Sequence, residues 1–293
     1  SSLVGLAVSG VVMLISAKYA WYIILITAVT VLPSDRRRWR AILVSMVLPA
    51  LLVHGGIALL ISQGLIINGD PIESRGVQLQ QIARIAQRNP DAIPQKARTE
   101  MAPIFNLDQM AEAYTSYDAD PVKSSGIQSK KVSYRWRSVT RDDLSRFNDA
   151  WLRIVLSDPV TALDAFLAKS FGYFNACDHP YVSMDYYVDN DYVRNSTDWI
   201  GHWNSAGRSS IVGFARQWSN IPVLGWVTHG NLYVTLTLLV GAAEVVLRRW
   251  RSLAWHIPLL ALMGVMIMAP ANDFERHMLP VVFVALFLAL QFH

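Results

Sequence analysis

The chain has 293 residues, of which 53% are hydrophobic and 16% charged, with a formal net charge of +4 and a positive mean hydropathy. Soluble domains carry about 25% charged residues, so an ordinary soluble chain is excluded; one cysteine excludes an intrachain disulfide and a cysteine-based metal centre. The positive excess gathers in two short clusters beside apolar segments, which argues against nucleic acid as a partner.

Charge is unevenly spread. Residues 69–226 hold 17 of the 26 Lys/Arg and 18 of the 22 Asp/Glu. Three parts follow: transmembrane helices over 1–67, an extracytoplasmic domain over 68–223, and C-terminal transmembrane helices over 224–293. The expected fold class is an α-helical polytopic membrane protein with a mainly helical extracytoplasmic domain.

In chain order, residues 3–15 are apolar but short, since a spanning helix needs about 20 residues. The chain opens on Ser1 without the charged start of a signal peptide, and reads as the C-terminal portion of a longer membrane protein. Residues 20–32 follow, with Trp21 and Tyr22 as an interfacial belt. Arg36, Arg37, Arg38 and Arg40 precede the clearest span, 41–67, which contains Pro49 and His54-Gly55-Gly56. In that span His54 reads as a hydrogen-bonded core histidine.

Next comes VQLQQIARIAQR, whose Leu79, Ile82, Ile85 and Ala86 recur at helical spacing, opposite Gln78, Gln81, Arg84 and Arg88. Asn89-Pro90 stops it. Its apolar face is expected to pack the outer domain onto the membrane helices, with Gln80, Gln81 and Arg84 lining an acceptor groove. Asn106 caps a helix through Tyr114. A strand is read at 131–136. Thr140 to Asp143 resembles a capping box opening a helix with Leu144, Phe147, Trp151, Ile154 and Val155 on one face. Asp158-Pro159 opens another, with the stripe Leu163, Phe166, Leu167 and Phe171.

Residues 224–247 form the next span, closed by Arg248, Arg249 and Arg251, and Glu244 reads as an i,i+4 partner of Arg248. Spans over 256–270 and 278–292 complete the chain. Short loops rich in Lys/Arg stay in the cytoplasm. Placing 36–40 there puts the polar domain outside and returns 248–251 to the cytoplasm, so both clusters agree with one topology.

No Walker loop, GxSxG, HExxH or strand-following GxGxxG is present, and the two halves do not repeat as inverted-repeat transporters do. Two stretches carry candidate chemistry. Asp273, Glu275, Arg276 and His277 gather at the outer mouth of the last span, where an arginine can hold a phosphate in bidentate fashion; an ordinary water-facing loop is the competing explanation. Between 181 and 192, Tyr186 and its aromatic neighbours alternate with Asp185, Asp189 and Asp191. That mixture suits sugar recognition, and the carboxylates can ligate a divalent cation; an aromatic-packed surface loop competes there, and the spacing is not that of an EF-hand.

Three stretches, GVQLQQIARIAQRNPDAI, DPVTALDAFLAKSFGYFNACDHP and FERHMLPVVFVALFLAL, resemble an uncharacterised group of large bacterial multi-pass membrane proteins akin to the GT-C superfamily of polyprenyl-phosphate-sugar-dependent glycosyltransferases. The resemblance implies a bacterial plasma-membrane protein with its active site on the extracytoplasmic side. It implies a polyprenyl-phosphate-linked sugar donor and an envelope glycan acceptor. Arg276, helped by His277, would hold the donor phosphate, while the usual catalytic acid would lie upstream of Ser1. The competing reading is a non-enzymatic envelope protein that binds a partner or polymer, or a lipid-handling transporter.

Overall fold

The computed structural model describes residues 2–17, 19–67, 71–123, 140–176, 195, 204–268 and 275–292. These are almost entirely helical, with no β-strand among them. The strand expected at 131–136 lies outside the described residues. The chain divides into two compact units, Ser1–Ser170 with Ala243–Asn272 and Phe171–Ala242 with Asp273–His293.

The first unit begins with apolar helices. These are α1 (Ser2–Ser16), α2 (Ala20–Ser34), α3 (Trp39–Ile42) and α4 (Leu48–Ser62). A short 3₁₀ turn, Arg36–Arg38, precedes α3, and a π turn, Leu43–Val47, joins it to α4. Pro49 has no N–H to donate back into that turn, and a π turn is a usual way for a helix to absorb the loss. The run Arg36–Ser62 is long and apolar enough to cross a membrane, and so is α13 (Trp250–Met268). Helix α13 packs along α2, whose Ala20, Ile23, Ile24, Thr27, Ala28 and Val31 form a buried stripe at helical spacing. Outward positions such as Val29, Leu51, Leu52 and Leu59 are equally apolar. At one end Arg251 Nε donates to the Ser34 carbonyl at 3.3 Å. The arginine clusters at 36–40 and 248–251 therefore lie at the same end of the α2–α13 pair.

His54 is exposed and stacks on Trp21, ring centroids 4.9 Å apart and planes 7° apart. It is therefore a ring partner on the surface of the apolar helices and not a core histidine.

The polar part of this unit holds α5 (Gly76–Arg88), α6 (Gln95–Met101), α7 (Leu107–Ala113), α8 (Asp120–Lys123), α9 (Arg141–Ser157) and α10 (Pro159–Phe174). The expected caps form. Asn106 Oδ1 accepts from the Asp108 and Gln109 amides, and Thr140 and Asp143 close a reciprocal capping box. Asp158 Oδ1 accepts from the Thr161 amide at 3.1 Å. Leu79, Ile82 and Ile85 are fully buried against Phe105, Met110, Phe147 and Ile154. The apolar face of α5 is thus the centre of this domain's own core, and the expectation that it docks onto the membrane helices is corrected. The reason is that α7 and α9 present enough apolar surface to cover it. On α10, Leu163, Leu167 and Phe171 of the expected stripe are exposed, while Ala162 and Ala165 are buried.

The second unit comprises the end of α10, α11 (Ser205–Ser219), most of α12 (Gly230–Val246) and α14 (Glu275–Phe292). Between α11 and α12 the chain makes a γ-turn at Val223, φ +67° and ψ −53°, with the Leu224 amide donating to the Pro222 carbonyl at 2.8 Å. A β-branched residue in that conformation stores strain.

Candidate functional site

The site in the second unit is assembled from the last turn of α10 and the first turns of α12 and α14. Tyr173 is fully buried, and its hydroxyl lies 2.7 Å from His277 Nδ1. The two rings are tilted by 38° with centroids 6.0 Å apart. If the phenol donates to Nδ1, the imidazole carries its proton on Nε2. His277 is the third residue of the 18-residue helix α14, where backbone amides and the helix dipole favour negative charge.

Three further contacts hold this arrangement. Asn231 is buried, and its amide nitrogen donates to the Gly172 carbonyl at 3.2 Å and the Asn175 carbonyl at 2.9 Å. It therefore closes the end of α10 and fixes Tyr173. Gly230 lets α12 pass close to α14: a Cβ there would fall 2.7 Å from Met278 Cβ. His229 Nε2 lies 3.1 Å from the Ser219 carbonyl. A carbonyl only accepts, so Nε2 bears the proton, and the buried Nδ1 has no partner among the described residues.

Arg276 stands between Glu275 and His277 in the opening turn of α14; its side chain lies outside the described residues. So do Tyr186, Asp189 and Asp191. Among the described residues no group of three or more potential metal ligands occurs. Gln80, Gln81 and Arg84 are in the first unit, in the weave of its polar domain. Gln80 is buried and donates to the Thr115 carbonyl at 2.7 Å. Gln81 accepts from Trp151 Nε1 at 2.9 Å and donates to the Ala162 carbonyl at 3.2 Å. Arg84 meets Asp164 at 3.1 Å and lies 5.0 Å above the Tyr114 ring. These three side chains tie α5 to its neighbours.

The first unit also holds two buried polar contacts, of Lys169 and of Glu244, that local spacing does not encode. Lys169 on α10 is fully buried and donates to the Ile267 carbonyl at 2.7 Å, in the last turn of α13. Burial lowers its ammonium pKa to about 8. Glu244 is also buried, and accepts from Ser252 Oγ and lies 2.8 Å from His256 Nδ1. Its expected pairing with Arg248 is therefore corrected: the buried carboxylate is taken up by Ser252 and His256, away from water. His256 is fully buried and its Nε2 has no partner among the described residues. An ionisable residue within an apolar run was the available signal for both partners.

The sequence profile of a family of unknown function, DUF6020, matches residues 1–293, and the chain belongs to that family. No curated protein and no solved structure matches the chain.

Proposed function

We propose that this DUF6020 protein is a GT-C-like membrane glycosyltransferase, transferring a sugar from a polyprenyl-phosphate donor to a cell-envelope acceptor on the extracytoplasmic side. The carrying observation is the hydrogen bond between Tyr173 and His277. It joins two of the three stretches that bear the GT-C resemblance, at a helix N-terminus suited to an anion.

In this reading the acceptor hydroxyl attacks the anomeric carbon, giving its proton to a carboxylate base, and the bond from that carbon to the phosphate oxygen breaks. Polyprenyl phosphate departs with the bonding electrons. Arg276 and His277 neutralise the charge that grows on it, while Tyr173 holds the imidazole in place. The 186–191 segment, with its tyrosine and carboxylates, contributes to the acceptor groove. Multi-pass placement in a bacterial plasma membrane is part of the proposal. It is supported by two helices of spanning length and by the two arginine clusters meeting at one end of the α2–α13 pair.

The test is native mass spectrometry of the detergent-purified chain with polyprenyl phosphate, beside Arg276→Ala and His277→Ala variants. Specific binding by the wild type that both folded variants lose is the expected result. Equal binding by all three, or none, would overturn the site and favour a non-enzymatic envelope protein.

A further inference from the structure

Helices α9 and α10 present an outward face that changes character along its length. On α9 the exposed positions are first polar, with Asp142, Ser145, Arg146 and Asp149, and then apolar, with Leu152 and Leu156. On α10, Val160, Leu163 and Leu167 are exposed as well, at helical spacing. These five apolar side chains are between 49% and 78% exposed. The charged groups flanking them are engaged. Asp164 meets Arg84 at 3.1 Å and Arg88 at 3.5 Å, and Arg153 meets Glu100 at 3.7 Å. An exposed apolar patch of this extent calls for an occupant.

The position of the face identifies that occupant. Lys169, half a turn beyond Leu167, donates to the Ile267 carbonyl in the final turn of α13. If α13 crosses a bilayer, its final turn marks the bilayer edge, and the Leu167 end of the stripe is at that level. Along the chain the exposed positions pass from polar at the start of α9 to apolar on the way to Leu167. The first half meets water and the second half would otherwise leave leucines in it. An amphipathic helix with this profile lies in the interface, its apolar side reaching about 5–10 Å into the acyl boundary.

We propose that the Leu152, Leu156, Val160, Leu163 and Leu167 face lies in the lipid leaflet at the Ile267 end of α13, so that the polar domain rests on the membrane surface. This inference rests on α13 being a span and is independent of any sugar-transfer activity. It gives α10 a further role as a lipid-contacting element.

The test uses the full chain in phosphatidylethanolamine–phosphatidylglycerol vesicles, with Cys177→Ser removing the one native cysteine. Single cysteines at Leu156, Leu163 and Leu167 carry a nitroxide whose collisions with oxygen and with a water-soluble nickel chelate are measured. Arg146→Cys serves as the aqueous reference and Leu52→Cys as the reference within the 36–62 run; only variants that elute as the wild type are read. The expected result is a severalfold higher oxygen-to-nickel collision ratio at the three leucine positions than at 146. A ratio like that at 146, with position 52 still lipid-like, would overturn the surface alone. A water-exposed position 52 would overturn the membrane reading with it. Exclusion of both probes from the leucine positions would mean that protein covers the face, and would also overturn it.

Discussion

At the scale of single residues, Tyr173 and Lys169 show how α10 places polar atoms among apolar ones. The Tyr173 ring is buried while its hydroxyl meets His277, which suits a side chain with an apolar body and one polar tip. Tyr173→Phe keeps the ring and removes the partner of the imidazole. A hydrogen bond of this kind contributes about 1 kcal/mol. The variant should therefore fold and bind polyprenyl phosphate severalfold more weakly, as a titration by native mass spectrometry would show. Lys169 differs, because burial penalises its charge and lowers its pKa to about 8. The folded state then binds fewer protons than the unfolded state as pH rises from about 8 through the ordinary lysine range, so this group makes stability rise with pH across that window. Below it, the amine is charged in both states and the slope vanishes. Unfolding midpoints in detergent between pH 7.5 and 10 should show the rise in the wild type and its absence in Lys169→Met.

At the scale of elements, caps and partners act at different ranges. The α9 and α10 starts are secured within one turn by Thr140, Asp143 and Asp158, and such caps are readable in any sequence because donor and acceptor are three residues apart. Glu244 depends instead on partners further along the chain, His256 and Ser252. Removing one member of a buried pair strands the other, at a cost of about 3–5 kcal/mol. Glu244→Ala should lose stability of that order in chemical unfolding. Glu244→Leu combined with His256→Leu should recover most of it, and a double-mutant cycle would report the coupling directly. Simple additivity of the two single changes would show that the pair does not act as a unit.

At the scale of the whole molecule, the proposed topology rests on the arginine clusters. The contact from Arg251 to the Ser34 carbonyl places both clusters at one end of α2 and α13, as two cytoplasmic loops require. In oriented vesicles lacking the native cysteine, Arg37→Cys and Arg249→Cys should react with a membrane-impermeant thiol reagent from the cytoplasmic face alone. Ser116→Cys, on an exposed turn of the polar domain, should react from the opposite face alone. Labelling of all three from one side would refute the arrangement.

The sequence by itself determined where helices start and stop, because caps, prolines and apolar periodicity act within a turn or two. Asn89-Pro90, Asn106, Thr140 and Asp158 each mark a boundary that the structure keeps. It also singled out His277, and Leu79, Ile82 and Ile85 as a buried face. Tertiary structure alone decided what covers each face and which polar groups meet. Leu79, Ile82 and Ile85 turned to their own domain's core, the leucines of α10 turned outward, and Glu244 chose His256 over Arg248. The physical reason is that apolar periodicity registers removal from water and nothing more. Protein core and lipid are both low-dielectric surroundings for a leucine, so only the neighbours, which come from distant parts of the chain, distinguish them. Tyr173 and His277, 104 residues apart, meet for the same reason: no local pattern encodes a partner that far along the chain.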